Sequence, residues 1–443
     1  MNMDAVLLSR IQFAFTVGFH FLFPPLTFGL TLIILIFETL HLRKNQELFK
    51  KLTDFFVKIL GLVFVIGTAT GIVMEFSFGT NWSNYSRMVG DIFGAPLAAE
   101  GVFAFFLESV FIGILVFGRN RVSKKAYWTS AFLVFFGAHL SGLWIIIANS
   151  WMQTPAGFAI EGGRAVLKDF FAAALNHSTI LRYTHTMVAG WITGVFLVAG
   201  ISAWYFLKKR DTEYAKAALK TAVIILVIAS IMELFIGHGH SVQVGKTQPE
   251  KLAAFEALYE TTAGAPLALF GLPDAENQKT YLYVGVPKML SLFLYLDPNA
   301  TVKGLNEFPA DERPPVFLSF VSYHIMISLG FLFIAITVIA TVLLAANKLW
   351  KTNWFLKILL FAIPLPHLAN QFGWIAAEVG RQPWAVYRVL KTADAASVVV
   401  PAWQILFSLI MFGLIYFLLF ILFITILVKI VKKGPEATPA PGY

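Results

Sequence analysis

Long apolar stretches alternate with short polar connections along the whole chain. A helix that crosses the hydrocarbon core of a bilayer needs about 20 mostly apolar residues, and nine stretches approach or exceed that length. The pattern predicts an all-α integral membrane protein, a bundle of nine transmembrane helices. The stretches cover residues 15–40, 55–74, 95–117, 127–148, 181–207, 217–236, 316–346, 354–377 and 402–431.

Basic residues mark every second connection between these stretches. By the positive-inside rule such connections are cytoplasmic, which places the N-terminus outside and, after nine helices, the C-terminus inside. The chain starts with MNMD and lacks the basic region of a cleavable signal peptide, so we expect the first stretch to remain as a membrane helix. The basic residues are Arg43, Lys44, Lys50, Lys51, Arg119, Arg121, Lys124, Lys125, Lys208, Lys209, Arg210, Lys216, Lys220, Lys348, Lys351, Lys432 and Lys433.

One outward connection, residues 239–315, is far longer than an ordinary loop, and loops of that size are usually functional or disordered. Apolar patches within it, at 281–286 and 290–296, favour folded structure against the membrane surface. The expected organisation is therefore helices 1–6 in 1–238, the extracytoplasmic loop in 239–315, helices 7–9 in 316–433, and a Pro- and Ala-rich disordered tail in 434–443.

Composition excludes several classes of protein. Of the 443 residues, 58% are hydrophobic and only 13% are charged, which is typical of a multi-pass membrane protein. The net charge of +9 arises largely in the short basic loops, so it indicates topology and not a nucleic-acid partner. The absence of cysteine excludes disulfides, thiolate metal sites, iron–sulfur clusters and covalently attached c-type haem. Any redox metal must be held by His, Met or carboxylate side chains.

Five side chains with metal-ligating chemistry fall at similar depth, in the outer half of the predicted bundle: His20, Glu100, His185, Met326 and Glu378. Carboxylates inside a membrane are costly, so their usual role is functional. Glu108 is the exception in depth. It lies about 12 Å further toward the cytoplasm than Glu100 and roughly 80° around a regular helix, close enough to line one polar seam.

These residues fit haem ligation. A low-spin haem takes two axial ligands, and a His–Met pair raises its reduction potential; His185 and Met326 could form that pair. A haem that binds oxygen needs one firm ligand and an open face, for which His20 and Glu378 are the candidates. Three arginines at the outer boundary could hold haem propionates through charge-assisted hydrogen bonds: Arg10, Arg381 and Arg388.

Each residue also has a structural interpretation when it is taken alone. A single His on an apolar helix more often makes a packing hydrogen bond, and Met commonly fills gaps in a core. Buried carboxylates and Pro-broken helices also build ion-coupled secondary transporters, which would be colourless. A b-type cytochrome of a quinol-reductase complex should show paired His ligands on shared helices, and we find no such pairs in the sequence.

Several short segments closely resemble subunit I of the cytochrome bd-type quinol oxidases. The resemblance runs from about Ser9 to the last predicted helix. The matching segments are SRIQF at 9–13, HFLF at 20–23, GDIFGAPL at 90–97, FFLES at 105–109, LWI at 143–145, WMQ at 151–153, RYTHT at 182–186 and GRQPW at 380–384.

The resemblance implies three haems in this chain: one low-spin b-type, one high-spin b-type and one d-type. It implies that His185 and Met326 hold the low-spin haem, while His20 ligates one high-spin haem and Glu378 the other, with Glu100 beside the first. Which high-spin site carries the d-type haem stays open. The same resemblance implies that Trp374, with the three arginines, lies at a haem edge.

The long outer loop resembles the quinol-binding loop of that family, and KLAAFE at 251–256 matches its characteristic stretch. The match implies that Lys251 binds a quinol oxygen and that Glu256 accepts its proton. The loop is short compared with family members that carry an extra insertion, so loop-specific regulation does not transfer. His324 stands where some members have an arginine, which leaves the haem-edge role of that arginine unassigned here.

The expected reaction oxidises quinol at the outer face and reduces oxygen to water with cytoplasmic protons. Glu108, with Ser109 and Ser141 as hydroxyl relays, is the predicted proton path, so the reaction would build membrane potential without pumping. The resemblance also implies a heterodimer with subunit II, sometimes joined by a small third subunit, in the bacterial cytoplasmic membrane. The choice between ubiquinol and menaquinol stays open.

Overall fold

Long helices make up most of the described chain, which is residues 4–435 of a computed structural model. The helices are α1 Ala5–His20, α2 Pro24–Lys44, α3 Glu47–Gly79, α4 Ser83–Ala99, α5 Phe106–Phe117, α6 Lys124–Gln153, α7 Phe170–Ala174, α8 Thr179–Lys208, α9 Thr212–Thr247, α10 Pro249–Phe255, α11 Met289–Tyr295, α12 Val316–Ala345, α13 Asn353–Phe361, α14 Leu365–Val379, α15 Thr392–Ala395 and α16 Ala402–Lys433. A π-helical segment, Glu100–Phe105, joins α4 to α5.

Short strands form four two-stranded antiparallel sheets outside the long helices. They are β1 Phe158–Glu161 with β2 Arg164–Leu167, β3 Thr262–Ala263 with β6 Thr301–Val302, β4 Leu267–Asp274 with β5 Lys279–Val286, and β7 Trp384–Val386 with β8 Leu390–Lys391. The predicted tail, 434–443, lies outside the described residues except for its first two.

Within residues 4–435, eight helical segments are long and apolar enough to cross a membrane. They correspond to eight of the nine predicted stretches. The ninth, residues 95–117, is divided among α4, the π-helical segment and the shorter apolar helix α5. The membrane-spanning, predominantly helical architecture is therefore confirmed, while the count of nine spans stays a prediction.

Prolines break two of these segments. The first runs over 40 residues, Ala5–Lys44, and is interrupted before Pro24 and Pro25. Proline lacks the amide hydrogen that a continuing helix needs and clashes with the preceding turn, whereas it fits the first helical positions. Prolines also separate α13 from α14, which begins at Leu365 and Pro366. The first break places a helix end at a predicted ligand, His20.

The core of the bundle lies around α8, most of which is buried. This helix packs against α2, α6, α9, α13 and α14. Its contact with α2 is unusually close, because a Cβ atom built on Gly194 would lie 2.6 Å from the Cα of Gly29. Small residues allow membrane helices to approach in this way.

The long segment that we predict to lie outside is folded, as its apolar patches predict. Helix α9 continues to Thr247, so residues 239–247 extend the helix where we expected loop. Beyond it, α10 packs on α9 and α12, and the β4–β5 hairpin packs on α12. A buried apolar cluster joins this segment to the tops of the long helices, and it contains Val244, Leu252, Phe255, Ala265, Leu290, Leu294, Val302, Tyr323 and Ala376.

A buried ion cluster joins the ends of α2 and α3 that we predict to be cytoplasmic. Arg119, in the turn after α5, lies 2.9 Å from Glu38 and 2.5 Å from Asp54, and all three are nearly inaccessible. The guanidinium also stacks 3.6 Å from the Tyr127 ring centroid. The structure buries Glu38 completely and pairs it with a cation, as a buried charge requires.

Candidate functional site

One cavity of about 770 Å³ collects the predicted ligands. His20, Glu100, His185, Met326 and Glu378 all line it. They come from five separate elements: the end of α1, the start of the π-helical segment, α8, α12 and α14. The sequence placed these side chains in one layer, and the structure brings them to one cavity. Their roles as iron ligands stay predictions.

His185 and Met326 enter the cavity from α8 and α12. His185 Nδ1 lies 2.8 Å from Glu233 Oε1, so the carboxylate can orient the ring and leave Nε2 for another partner. Met326 packs against Gly373 of α14, where an added Cβ would lie 2.7 Å from the Met326 sulfur. The glycine therefore makes room for the thioether at the cavity wall.

Glu378 is held in a fixed orientation at the end of α14. Its Oε2 accepts from Arg381 Nη2 at 2.5 Å, and its Oε1 accepts from Asn149 Nδ2 at 2.9 Å and Gln153 Nε2 at 3.3 Å. Arg182 Nη1 in turn donates to Asn149 Oδ1 at 3.1 Å. This network is the kind of outer support that fixes a ligating carboxylate.

Positive charge exceeds negative charge around Glu378. Arg182 and Arg381 are both buried and line the cavity. Arg182 Nε and Arg381 Nη1 have no hydrogen-bond partner among the described residues. Two guanidinium groups thus share one carboxylate, and leaving buried donors unpaired is costly. The arrangement fits a ligand that brings carboxylates of its own into the cavity.

Three acidic residues line the cavity or lie close to it. Glu100 accepts a hydrogen bond from Ser141 Oγ at 2.9 Å. Glu75 of α3 also lines the cavity and is close enough to interact electrostatically with Glu100. Glu108 is buried against Gly137 of α6, which leaves space for its side chain. We did not select Glu75 from the sequence, although a carboxylate directly after the stretch 55–74 was an available signal.

The π-helical segment changes how Glu100 and Glu108 face each other. The angle of roughly 80° assumed a regular helix. A π-helical turn holds about one residue more than an α-helical turn, so Glu108 is rotated by about one residue, or roughly 100°, relative to that expectation. The corrected angle is near 20°, which places both carboxylates on almost the same face of the segment.

Lys251 and Glu256, the two residues predicted to bind quinol, make contacts in different directions. Lys251 is fully buried and donates to Ala377 O at 2.8 Å and Gln153 Oε1 at 2.9 Å. Burial lowers the pKa of Lys251 well below its usual range, and the neighbouring Arg182 adds to that effect. Glu256 turns instead toward β4, where its Oε2 accepts from Ala268 N at 2.9 Å.

The second oxygen of Glu256 is buried, and no described residue bonds to it. The side chain lines the same cavity as the five predicted ligands. Burial raises the pKa of the Glu256 carboxyl to about 8. An unpaired carboxylate oxygen with this pKa is suited to take a proton from a bound hydroxyl group near neutral pH.

Comparison with known proteins agrees with this geometry. The sequence model of the family described as cytochrome bd terminal oxidase subunit I matches residues 8–435. The chain belongs to this family. Its relatives include the cytochrome bd ubiquinol oxidase subunit 1 of Bacillus subtilis, 40% identical over 98% of this chain and 95% of the relative, and the cytochrome bd-II ubiquinol oxidase subunit 1 of Escherichia coli, 34% identical over 98% of both.

A solved structure shares the fold. The bd oxidase from Geobacillus thermodenitrificans superposes with a TM-score of 0.91 at 31% identity, covering 98% of this chain and 100% of that one. Membership of the cytochrome bd family makes this chain a subunit of a haem-containing terminal oxidase of the bacterial plasma membrane, and it implies a partner subunit.

The residues present fit haem in this cytochrome bd subunit. Within residues 4–435, no three His, Cys, Asp or Glu side chains cluster as a direct metal site. The candidate donors stand singly on the cavity walls, which suits iron whose other positions are filled by a porphyrin. The unpaired nitrogens of Arg182 and Arg381 suit its carboxylate groups.

Of four other predicted residues, one lines the cavity and three do not. Trp374 lines the cavity, whereas Arg10 is exposed and is not part of the cavity lining. Arg388 is exposed and lies 3.5 Å from Glu250. Ser109 Oγ donates to Phe105 O at 2.6 Å, within its own helical segment.

Proposed function

We propose that this subunit oxidises quinol at the outer membrane face and reduces oxygen to water with protons from the cytoplasm. The observation that carries the proposal is the shared cavity, which reaches from His20 to the outer-segment residues Lys251 and Glu256. Two quinols supply the four electrons that one oxygen molecule takes up. Their protons leave outside and others enter from inside, so the reaction generates membrane potential without a pump.

The ligand assignment follows the positions around the cavity. His185 and Met326 would hold a low-spin b-type haem, and His20 and Glu378 would hold the two high-spin haems, one b-type and one d-type, with Glu100 beside the first. Bound haem supplies one-electron transfer and oxygen binding. The protein orients these ligands through Glu233, Asn149 and Arg381, whose contacts with His185 and Glu378 support the assignment.

The propionates would be held mainly by buried guanidinium groups. Arg381 is the best placed of the three arginines predicted from the sequence, and Arg182 adds a second unpaired donor. Arg10 and Arg388 would act from the outer boundary, and Trp374 would cover a haem edge. The excess of positive charge around Glu378 supports this role.

Quinol would bind where the outer segment meets the cavity. Glu256 would take the proton of a quinol hydroxyl through its unpaired oxygen. Lys251 would bind a quinol oxygen by giving up one of its protein acceptors, Gln153 or Ala377. The buried apolar cluster around Phe255 and Tyr323 would exclude water from this region.

Changing pH should test the role of Glu256. Only the deprotonated carboxylate accepts a proton, and its raised pKa keeps it protonated below about 8. We expect kcat/KM for quinol to rise about tenfold per pH unit below that value and then level off. Glu256→Gln should remove this limb and lower activity, whereas Glu276→Gln, exposed at the hairpin tip, should keep it. An unchanged limb in Glu256→Gln would exclude Glu256 as the acceptor.

The protons that form water would reach the cavity from the cytoplasmic side. Glu108 lies on almost the same helix face as Glu100, and Ser141 donates to Glu100. We propose the path Glu108, Ser141 and Glu100, bridged by water. Ser109 would contribute less, because its hydroxyl proton is engaged with the Phe105 carbonyl.

The complex would be a heterodimer with subunit II, sometimes joined by a small third subunit. The N-terminus and the outer segment would be extracytoplasmic, and the C-terminus cytoplasmic. The basic loops support this orientation.

An absorption spectrum of the purified complex tests the proposed function. We expect a chlorin band in the red beside b-type haem bands, together with a spectral change on adding carbon monoxide to the reduced protein. A colourless complex would overturn the proposal and favour an ion-coupled transporter.

A further inference from the structure

The Thr70 hydroxyl and the Gly67 backbone carbonyl both contact the imidazole of His20. Thr70, on α3, places its Oγ1 3.1 Å from His20 Nδ1. Thr70 is nearly inaccessible, with 1% of its surface exposed. Among the described residues, Thr70 supplies the side-chain hydrogen bond of this ring, and it reaches only one of the two ring nitrogens.

The hydrogen bonds of Thr70 indicate which ring nitrogen of His20 carries the proton. The Thr70 hydroxyl has one proton, and two backbone carbonyls accept it: Ile66 O at 2.9 Å and Gly67 O at 3.0 Å. A hydroxyl that gives its proton to either carbonyl offers His20 a lone pair. Nδ1 is then the donor, and Nε2 keeps a free lone pair at the cavity. This is the tautomer that a metal-ligating histidine needs.

The neighbouring residue on α3 leaves space for the same ring. A Cβ built on Gly71 would lie 3.1 Å from His20 Cε1, 3.6 Å from Nδ1 and 3.7 Å from Nε2. Any larger residue would push the imidazole by a few tenths of an ångström. Thr70 thus fixes the direction of the ring, and Gly71 allows it to lie flat against the helix.

We propose that Thr70, assisted by Gly71, is a positioning residue that selects the Nδ1–H tautomer of His20 and aims Nε2 at the iron of a high-spin haem. The inference rests on the proposed function, in which His20 is the ligand of that haem. Outer partners of this kind fix the orientation of a ligating histidine and raise its basicity, and their loss typically weakens metal binding about 10- to 100-fold.

The test compares three variants of the complete oxidase complex. Thr70→Val keeps the side-chain shape but removes the acceptor, whereas Thr70→Ser keeps the hydroxyl. Thr53→Val is the matched control, because Thr53 is buried in the same helix and donates to Phe49 O without touching a histidine. High-spin haem content per low-spin haem and the iron–histidine stretching band of the reduced protein, by resonance Raman spectroscopy, are measured for each.

For Thr70→Val we expect about 10- to 100-fold weaker retention of the high-spin haem and a lower iron–histidine frequency. Thr70→Ser and Thr53→Val should match the wild type. A Thr70→Val complex with wild-type haem content and an unshifted band overturns the inference. Should that variant fail to assemble, Gly71→Ala decides, because it retains Thr70 yet displaces the ring; an unshifted band there also overturns it.

The variant His20→Ala tests the ligand assignment separately from the role of Thr70. A complete set of haems in His20→Ala would refute the ligand assignment in the proposed function. Loss of one high-spin haem in His20→Ala, with no change in Thr70→Val or Gly71→Ala, would refute only the role of Thr70.

Discussion

Met326→Leu should abolish the low-spin haem signal while the protein still folds. Leucine and methionine have similar volumes, and such exchanges usually cost less than about 1.5 kcal/mol of stability. The variant loses only the thioether that we assign to the iron. The His–Met pair raises the reduction potential, so its loss should make electron transfer from quinol less favourable. For one electron, a change of about 59 mV in potential changes the equilibrium constant of electron transfer about tenfold. If the haem potential drops by about 120 mV, we expect quinol-driven oxygen consumption to fall about 100-fold.

Met187→Leu provides the matched control. Met187 also lines the cavity, but it packs against Gly142 and Phe28 at the α2–α6–α8 contact. Its replacement should leave the low-spin band and turnover close to wild type. Redox titration of the absorption band and oxygen uptake with a quinol analogue are the measurements. A Met326→Leu complex with an unchanged low-spin band and potential would show that Met326 is a packing residue.

The depth of polar groups along the helices was the part of the site that sequence could predict. Periodicity and charge fix which helix a residue belongs to and how deep it lies. All five predicted ligands accordingly line one cavity. Burial of Lys251 was not predictable in this way, because it depends on how α10 folds back against α14.

Contacts between helices were beyond the reach of the sequence. Thr70 and Glu233 each meet a histidine from another helix, and neither residue type signals that partner. Arg182 lies in a segment that carried the family resemblance, yet its unpaired nitrogen appears only when α8 is packed. Such partners are set by tertiary packing, whereas local pattern reports only which face of each helix is apolar.

Irregular backbone was the other source of error. A regular helix through residues 95–117 gave the wrong angle between Glu100 and Glu108, since the π-helical segment adds to the turn between them. π-helical turns are often found at functional sites. Pro96 within α4, just ahead of this segment, was the available signal of irregularity.

Glu108→Gln should retain all haems and lose most turnover. The amide fills the same buried space beside Gly137 but cannot carry a proton. Proton transfer by a positioned side chain typically contributes 10²- to 10⁴-fold, so we expect oxygen consumption to fall by at least about 100-fold. Glu108→Ala should behave in the same way, with the spectrum of the wild type. Glu108→Asp, which keeps a carboxyl group, should retain more activity than either variant.

Serine variants test which hydroxyl groups belong to the proton path. Ser141→Ala removes the hydroxyl that donates to Glu100, and we expect a partial loss of turnover. Ser109→Ala removes a hydroxyl engaged with the Phe105 carbonyl and should remain close to wild type. Oxygen uptake and membrane potential are measured together in proteoliposomes, because slower proton delivery lowers both in proportion. Normal oxygen consumption in Glu108→Gln would remove Glu108 from the path, and protons would then have to reach Glu100 by another route.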